Sequence, residues 1–184
     1  MGVFGEVLVV VGVVDDKNDT YFPKKDLIFG LDISLGKVLW KTQTAENYEV
    51  NNINGLHYGL KPYKEGTIVR ALGGNHYFEL DTQNGRIQAT SLQEQLTLLG
   101  LKYLQSSDIS STHLFFKSES SQGHGLDNCI GSFNYETKKI DWHHVIDELS
   151  ETGTTIKNGE PKASANKIYA LDTNNTLHIF ERVL

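Results

Sequence analysis

A ten-residue pattern recurs in this chain about every fifty residues, and it limits the possible folds more than any other feature. The first copy is Leu31–Trp40 (LDISLGKVLW), and Leu80–Ala89 (LDTQNGRIQA) begins 49 residues after it. A degraded third copy, Phe133–Trp142 (FNYETKKIDW), begins 53 residues further on. Periods of this length are typical of propellers and other repeat arrays, in which each copy forms one small supersecondary unit.

Each copy of the pattern predicts a β-hairpin. An apolar, alternating strand runs into Asp or Asn, a short polar turn reverses the chain, and a second strand follows. Gly36 and Gly85 supply the positive φ that such a turn requires, whereas Lys138 at the matching place predicts a turn of another type. A partial fourth unit covers residues 167–180. We align it with residues 67–78, so that Phe180 or a neighbour takes the place of Leu80.

We therefore expect an all-β chain with antiparallel strands, folded as a small β-propeller or an open propeller-like arc of about four blades. A single domain over residues 1–184 would contain the four units, which are 7–43, 56–91, 101–146 and 154–184. The first unit is expected to lack an inner strand and the last an outer strand. A ring could close by sharing strands across the termini, and an open arc that dimerises is the alternative. The pattern at 91–94 predicts a capping box and one short helix at 92–99.

The motif Leu-Asp-x-x-x-Gly-Lys-x-x-Trp resembles the repeat of quinoprotein-type, or pyrroloquinoline-quinone-like, propeller blades. Only residues 31–40 carry the whole motif, since the second copy lacks Trp and the third lacks Gly. The resemblance implies that Trp40 packs between neighbouring blades. Trp142 lies at the matching position, so we expect it to be buried in the same way. An enzyme of this kind would need a quinone cavity, a calcium site and usually export, and the sequence indicates none of these.

The charge balance favours a protein partner. Lys and Arg number 17 against 23 Asp and Glu, which gives a net charge of −6. This charge argues against binding to nucleic acid or to anionic membranes, and it favours association with a basic protein. The acids are concentrated in two places, which we predict to be loops. The predicted contact residues are Asp147, Glu148 and Glu151, followed by Asp15, Asp16 and Asp19. Ordinary solvated loops would give the same pattern.

No catalytic, cofactor-binding or metal-binding residue can be singled out. Cys129 is the single cysteine, so the chain has no internal disulfide and no cysteine-based metal site. His143 and His144 are adjacent on a predicted strand, so they should point to opposite faces. The sequence has no Gly-x-Ser-x-Gly elbow, no Gly-rich phosphate loop and no His-Glu-x-x-His.

These observations predict a non-enzymatic protein-binding module, such as an immunity or inhibitor protein that neutralises a toxin by stoichiometric binding. A quinoprotein-like enzyme or remnant is one alternative, and a scaffold or assembly subunit is another. The apolar run at 7–14 has no basic segment before it and is too short to span a bilayer. We expect it to be a buried strand in a cytoplasmic protein. The sequence leaves open a longer, exported precursor and the oligomeric state.

Overall fold

A computed structural model describes residues 2–15, 24–43, 67–164 and 167–181. Within these residues the protein is all-β with antiparallel sheets, as predicted, and it contains two short helices. The chain divides into two compact units, residues 1–90 and residues 91–184. The strand predicted at 56–63 lies outside the described residues. No described helix has the length and apolar character needed to cross a membrane.

The first unit contains seven of the described strands. The strands β1 to β4 form one sheet in chain order, and β5, β6 and β7 are neighbours in that order. Their bounds are Gly2–Phe4 (β1), Val7–Asp15 (β2), Lys24–Asp32 (β3), Val38–Gln43 (β4), Ile68–Gly74 (β5), His76–Asp81 (β6) and Ile87–Ser91 (β7). Six of these agree with the predicted strands to within a few residues. The short strand β1 was not predicted; it pairs with β2 at the edge of the first sheet, which therefore has four strands.

The second unit contains the remaining strands and both helices. The strands β8 to β11 are neighbours in chain order, and β12 to β14 form a separate sheet. The bounds are Gln93–Leu99 (α1), Leu104–Ile109 (β8), His113–Ser118 (β9), Cys129–Asn134 (β10), Lys139–Val145 (β11), Asp147–Thr152 (α2), Ile156–Ser164 (β12), Lys167–Asp172 (β13) and Leu177–Glu181 (β14). The helix α1 confirms the prediction at 92–99, whereas α2 was not predicted.

The predicted capping box before α1 is wrong. The buried Leu92 is the N-cap residue, so no side chain caps this end of the helix. The Ser91 hydroxyl only accepts a long hydrogen bond, 3.4 Å, from the backbone N–H of Gln93. The N-cap position is thus occupied by a buried apolar side chain, where a polar side chain would have capped the helix. At the other end Gly100 adopts a φ of 66° and terminates the helix in the usual left-handed conformation.

Four hairpins begin their turn with the same side-chain cap, and the last turn is one residue shorter than the first two. The first residue of each turn uses its Oδ1 atom to accept a hydrogen bond from the backbone N–H two residues later, at 2.8–3.0 Å. The residues in this role are Asp32, Asp81, Asn134 and Asp172. The alignment of residues 167–180 with 67–78 was therefore wrong. The turn at Asp172 matches the turns at Asp32 and Asp81, so β14 corresponds to β4 and β7.

The same four turns each contain a residue with left-handed backbone. The φ angle is 63° at Gly36, 75° at Gly85, 56° at Lys138 and 65° at Asn175. The prediction of another turn type at Lys138 was therefore wrong. A hydrogen-bond clamp explains why the turn keeps its shape without Gly. The Gln95 side chain of α1 donates to the Lys138 carbonyl and accepts from the N–H of Ile140, both at 2.9 Å.

Trp40 lies at the centre of the core of the first unit. Its side chain is 9% exposed and belongs to a cluster of buried residues from β2, β3, β5 and β6. The indole N–H donates to the carbonyl of Thr82 in the second hairpin at 2.7 Å. A Cβ atom added at Gly30 or at Gly85 would lie 2.3 or 2.4 Å from the ring, so the indole is held between these two glycines. The prediction that Trp40 packs against the neighbouring copy of the repeat is confirmed, since the ring contacts the second hairpin.

Trp142 has a different environment. It is only partly buried, and it packs with Phe115 and Phe180 against the core of the second unit. In the strand ladder Trp142 lies opposite Ser132, whereas Trp40 lies opposite Gly30. A serine side chain prevents the close approach that glycine allows. The expected burial is therefore complete at Trp40 and only partial at Trp142.

Candidate functional site

The leading predicted contact residues lie together on α2. Asp147, Glu148 and Glu151 are all exposed on this helix, so the prediction of an acidic loop was wrong in its local structure. Asp147 and Glu151 are four residues apart, which places them on one face of the helix. We call the exposed carboxylates of Asp147, Glu148 and Glu151 the acidic face.

The acidic face borders a groove, and its carboxylates have few basic partners among the described side chains. Asp147 and Glu151 line a cavity of about 630 Å³ together with residues of the loop after β9. The loop residues involved are Ser121, Gln122 and His124. Within the described parts of the chain, neither Asp147 nor Glu151 forms an ion pair. Glu148 lies 3.6 Å from Nδ1 of His178, a pair that is attractive when the imidazole is protonated.

The remaining predicted contact residues are Asp15, Asp16 and Asp19. Asp15 ends β2, and its backbone alone is described. Asp16 and Asp19 lie outside the described residues. Among the described side chains, those of Asp147, Glu148 and Glu151 therefore form the acidic surface considered below.

Hydrogen bonds and a buried side chain fix the position of α2. Leu149 is 3% exposed and belongs to the core of the second unit. The buried Asn128 side chain donates to the hydroxyls of Ser120 and Ser150 at 3.0 and 2.6 Å. The Asn128 backbone carbonyl accepts from Ile146 N–H at 2.8 Å, directly before the helix. The acidic face is thus presented by a rigid support.

A second set of polar contacts supports the loop beside α2. The buried ammonium of Lys117 and the hydroxyl of Tyr103 both bond to the carboxylate of Asp127. Burial, followed by the hydrogen bond to Asp127, raises the pKa of Tyr103 above its usual range. Burial alone would raise the pKa of Glu119, but Lys102 and the backbone N–H of Gly125 donate to its carboxylate and lower the pKa overall. These ion pairs position the loop, and at the buried Lys117 an unpaired charge would be strongly destabilising.

Asp172, the last residue of β13, fixes the turn that leads into β14. Its side chain is buried and accepts from the backbone N–H groups of Asn174 and Thr176 at 2.9 and 2.8 Å. His178 lies 3.1 Å from its other carboxylate oxygen. Burial would raise the pKa of Asp172, but these donors outweigh burial and lower it. The His178 ring therefore connects a turn of the repeat with Glu148 of the acidic face.

Three further side chains meet on β9, β10 and β11. The carboxylate of Asp141 accepts from the Ser132 hydroxyl at 2.5 Å and lies 2.7 Å from Nε2 of His113. The Thr112 hydroxyl lies 2.7 Å from the other ring nitrogen of His113. In a Ser-His-Asp triad the histidine contacts the nucleophile and removes its proton. Here the carboxylate of Asp141 lies between Ser132 and His113, so His113 does not contact the serine hydroxyl as a triad requires. The three contacts fix the positions of these polar side chains. Their separation along the sequence gave no local motif by which they could have been found.

The remaining candidates for chemistry lie apart. Among the described residues, no group of three His, Cys, Asp or Glu side chains is placed to hold a metal ion. Burial raises the pKa of the Cys129 thiol to about 12. Burial, and then the neighbouring His144, lowers the pKa of His143.

Comparison with known proteins gives no family. No family model matches the chain, and no curated protein matches it. Solved structures do match, and one of them is described as "Crystal structure of the computationally designed Ika4 protein". The similarity covers 94% of this chain and 91% of that chain, with 10% sequence identity and a TM-score of 0.49.

Proposed function

We propose that this protein is a non-enzymatic binding module that holds a basic protein partner on the acidic face of α2. The observation that carries the proposal is the exposure of Asp147, Glu148 and Glu151 on one rigid helix beside a groove. A partner that presents Lys or Arg side chains would find three carboxylates within one and a half helical turns.

Electrostatics would act mainly on the rate of association. A charged surface attracts an oppositely charged partner over about 10 Å at 0.1 M salt, and it raises association rates at low salt. The net charge of −6 of the whole chain adds to this attraction. Rim charges contribute less to final affinity, because exposed ion pairs are worth about 0–1 kcal/mol each.

As an immunity protein, the chain would bind a basic toxin in the cytoplasm and neutralise it by stoichiometric binding. The four repeated hairpins support a propeller-like arc of about four blades, in which repeated strands provide the platform and surface segments bind. No substrate is turned over in this account.

Titration against a partner isolated from the native host tests the proposal. The co-purifying protein is produced separately and titrated calorimetrically into the full chain. We expect saturation at one partner per chain, with no chemical change in the partner as judged by its intact mass. Continued turnover of the partner, or of a small substrate, by the isolated chain would defeat the proposal.

Two charge-matched variants test the surface. Asp147→Asn/Glu151→Gln removes two carboxylates from the acidic face, and Glu94→Gln/Glu136→Gln removes two exposed carboxylates elsewhere in the second unit. Both changes alter the net charge equally. The first should weaken binding by about tenfold, since two interfacial charge pairs at about 0.5–1 kcal/mol each are lost, and the second should leave affinity nearly unchanged. Equal weakening by both variants would show that the whole-chain charge, and not the acidic face, attracts the partner.

A further inference from the structure

A second cavity lies in the unit formed by residues 91–184. Its volume is about 430 Å³, within the range of about 300–1,000 Å³ that small-molecule sites occupy. Apolar rings of Phe115, Trp142 and Phe180 contribute to one part of its lining. Hydroxyl-bearing residues contribute to the rest, among them Thr112 in the turn between β8 and β9 and Ser164 at the end of β12.

The repeat explains why this cavity exists. At the matching position of the first hairpin, Trp40 is enclosed by Gly30 and Gly85 and donates its N–H to Thr82. Trp142 faces Ser132 in the ladder and lines the cavity. The indole N–H of Trp142 forms no hydrogen bond with any described residue. The Trp142 side chain thus remains partly exposed with an available N–H donor, whereas Trp40 at the matching position is enclosed and hydrogen-bonded.

Two aromatic rings of the lining meet at an angle and form a corner. The rings of Trp142 and Phe180 have centroids 6.3 Å apart and an interplanar angle of 55°. Such a corner accepts the apolar face and edge of a compact ring. The hydroxyl of Ser164 is exposed and forms no hydrogen bond among the described residues. A hydroxyl both donates and accepts, so it suits a ligand whose own groups do the same.

The charged groups around the cavity are one ammonium and two carboxylates. One ammonium, that of Lys167, belongs to a lining residue, and it forms no ion pair within the described parts of the chain. Two carboxylates lie behind the lining. Asp141 bonds to His113 and Ser132, and Asp108 accepts from the backbone N–H of Ala163, and these three partners all line the cavity. Two carboxylates against one ammonium disfavour an anionic ligand.

The geometry points to a neutral, ring-shaped ligand with several hydroxyl groups, a single sugar ring being the simplest case. The apolar face of the ring would lie on Phe180, and hydroxyls at its edge would meet the indole N–H of Trp142 and the hydroxyl of Ser164. An aromatic acid would also fit the corner, but its carboxylate would be repelled by Asp108 and Asp141, which outnumber Lys167. This inference concerns a different surface from the acidic face and is independent of the protein partner.

Fluorine NMR of the full chain labelled with fluorotryptophan tests the inference. The chain contains two tryptophans, so the spectrum has two resonances, and Trp142→Phe assigns them by the loss of one. The neutral probes are the methyl glycosides of glucose, galactose, mannose and N-acetylglucosamine, and the charged probes are glucuronate and benzoate. We expect at least one neutral glycoside to shift the Trp142 resonance in a saturable way at millimolar concentrations. The buried Trp40 serves as an internal control and should not move.

Variants then separate this site from general surface binding. Ser164→Ala retains the fluorine reporter and should weaken the effective glycoside by about threefold to tenfold, the loss expected for one hydrogen bond. Trp142→Ala, followed through saturation transfer to the glycoside, should abolish binding. A chain in which Trp142→Ala has unfolded is replaced by Trp142→Phe, which should weaken binding because the N–H is lost. The inference is overturned when no neutral glycoside moves the Trp142 resonance up to about 100 mM, a Kd too weak to signify a site. It is equally overturned when glucuronate or benzoate binds more tightly than every neutral probe.

Discussion

Replacing Trp40 with alanine should destabilise the first unit strongly. The side chain is 9% exposed in the core cluster, and burial of an aromatic ring of this size is worth about 3–5 kcal/mol on truncation. The change also removes the donor to the Thr82 carbonyl at 2.7 Å. Trp40→Ala should therefore lower the free energy of unfolding by about 3–5 kcal/mol and the melting temperature by about 6–20 °C.

The two glycines beside the ring provide a sharper form of this test. A Cβ atom at residue 30 would lie 2.3 Å from Cε2 of Trp40, so Gly30→Ala should cost about 1–3 kcal/mol in the wild-type chain. In the Trp40→Ala chain the obstructing ring is absent, and the same change should cost little. A double-mutant cycle should therefore give a coupling of about 1–3 kcal/mol.

Thermal and urea unfolding of the four chains measures this coupling. Trp142→Ala is the matched control, because Trp142 occupies the same repeat position and is only partly buried. It should cost clearly less than Trp40→Ala. Equal costs for the two tryptophans, or additive effects of Gly30→Ala and Trp40→Ala, would refute the packing described for the first unit.

Three further predictions follow from the second unit. Lys138→Gly should raise the free energy of unfolding by about 0.5–1 kcal/mol in urea titration, because glycine adopts the φ of 56° without strain; a loss of stability would show that the lysine side chain contributes more than its backbone strain costs. Asp172 has a lowered pKa in the folded chain, so its stabilisation is present above its unfolded pKa of about 3.9 and is lost as the pH falls through the folded value. Asp172→Asn should thus reduce the acid-induced loss of stability between about pH 5 and pH 2, and an unchanged pH profile would contradict this. Cys129, buried and with its pKa raised to about 12, should react with a thiol reagent at pH 8 only in denaturant, and rapid labelling of the native chain would exclude the buried position.

The hairpins could be predicted because their determinants are local. An Asp at the start of the turn and a Gly four residues later specify both the side-chain cap and the positive φ, as at Asp32 and Gly36. The third turn shows where this reasoning fails. Its φ at Lys138 is supported by Gln95, a residue 43 positions earlier in the chain, and such a contact leaves no local pattern.

The candidate sites show the same limit. The density of acidic residues led to the prediction that Asp147, Glu148 and Glu151 contact a partner. It did not predict the short helix that carries them, whose position depends on the burial of Leu149. The second cavity arises from the difference between two tryptophans at equivalent positions. That difference depends not only on the residue opposite each ring but also on what covers each ring: the second hairpin covers Trp40, through the Thr82 carbonyl and Gly85, and such a contact between hairpins leaves no local pattern in the sequence.

The salt dependence of association tests the proposed function most directly. The association rate of the co-purified partner is measured by stopped flow as ionic strength rises from about 0.02 to 0.5 M. The wild-type chain and the Glu94→Gln/Glu136→Gln chain should associate rapidly at low salt and slow steeply as salt is added. The Asp147→Asn/Glu151→Gln chain should associate more slowly at low salt, with a shallower slope, and approach the wild-type rate at high salt. Identical rates and slopes for the two double variants would contradict the assignment of the acidic face of α2 as the partner-binding surface.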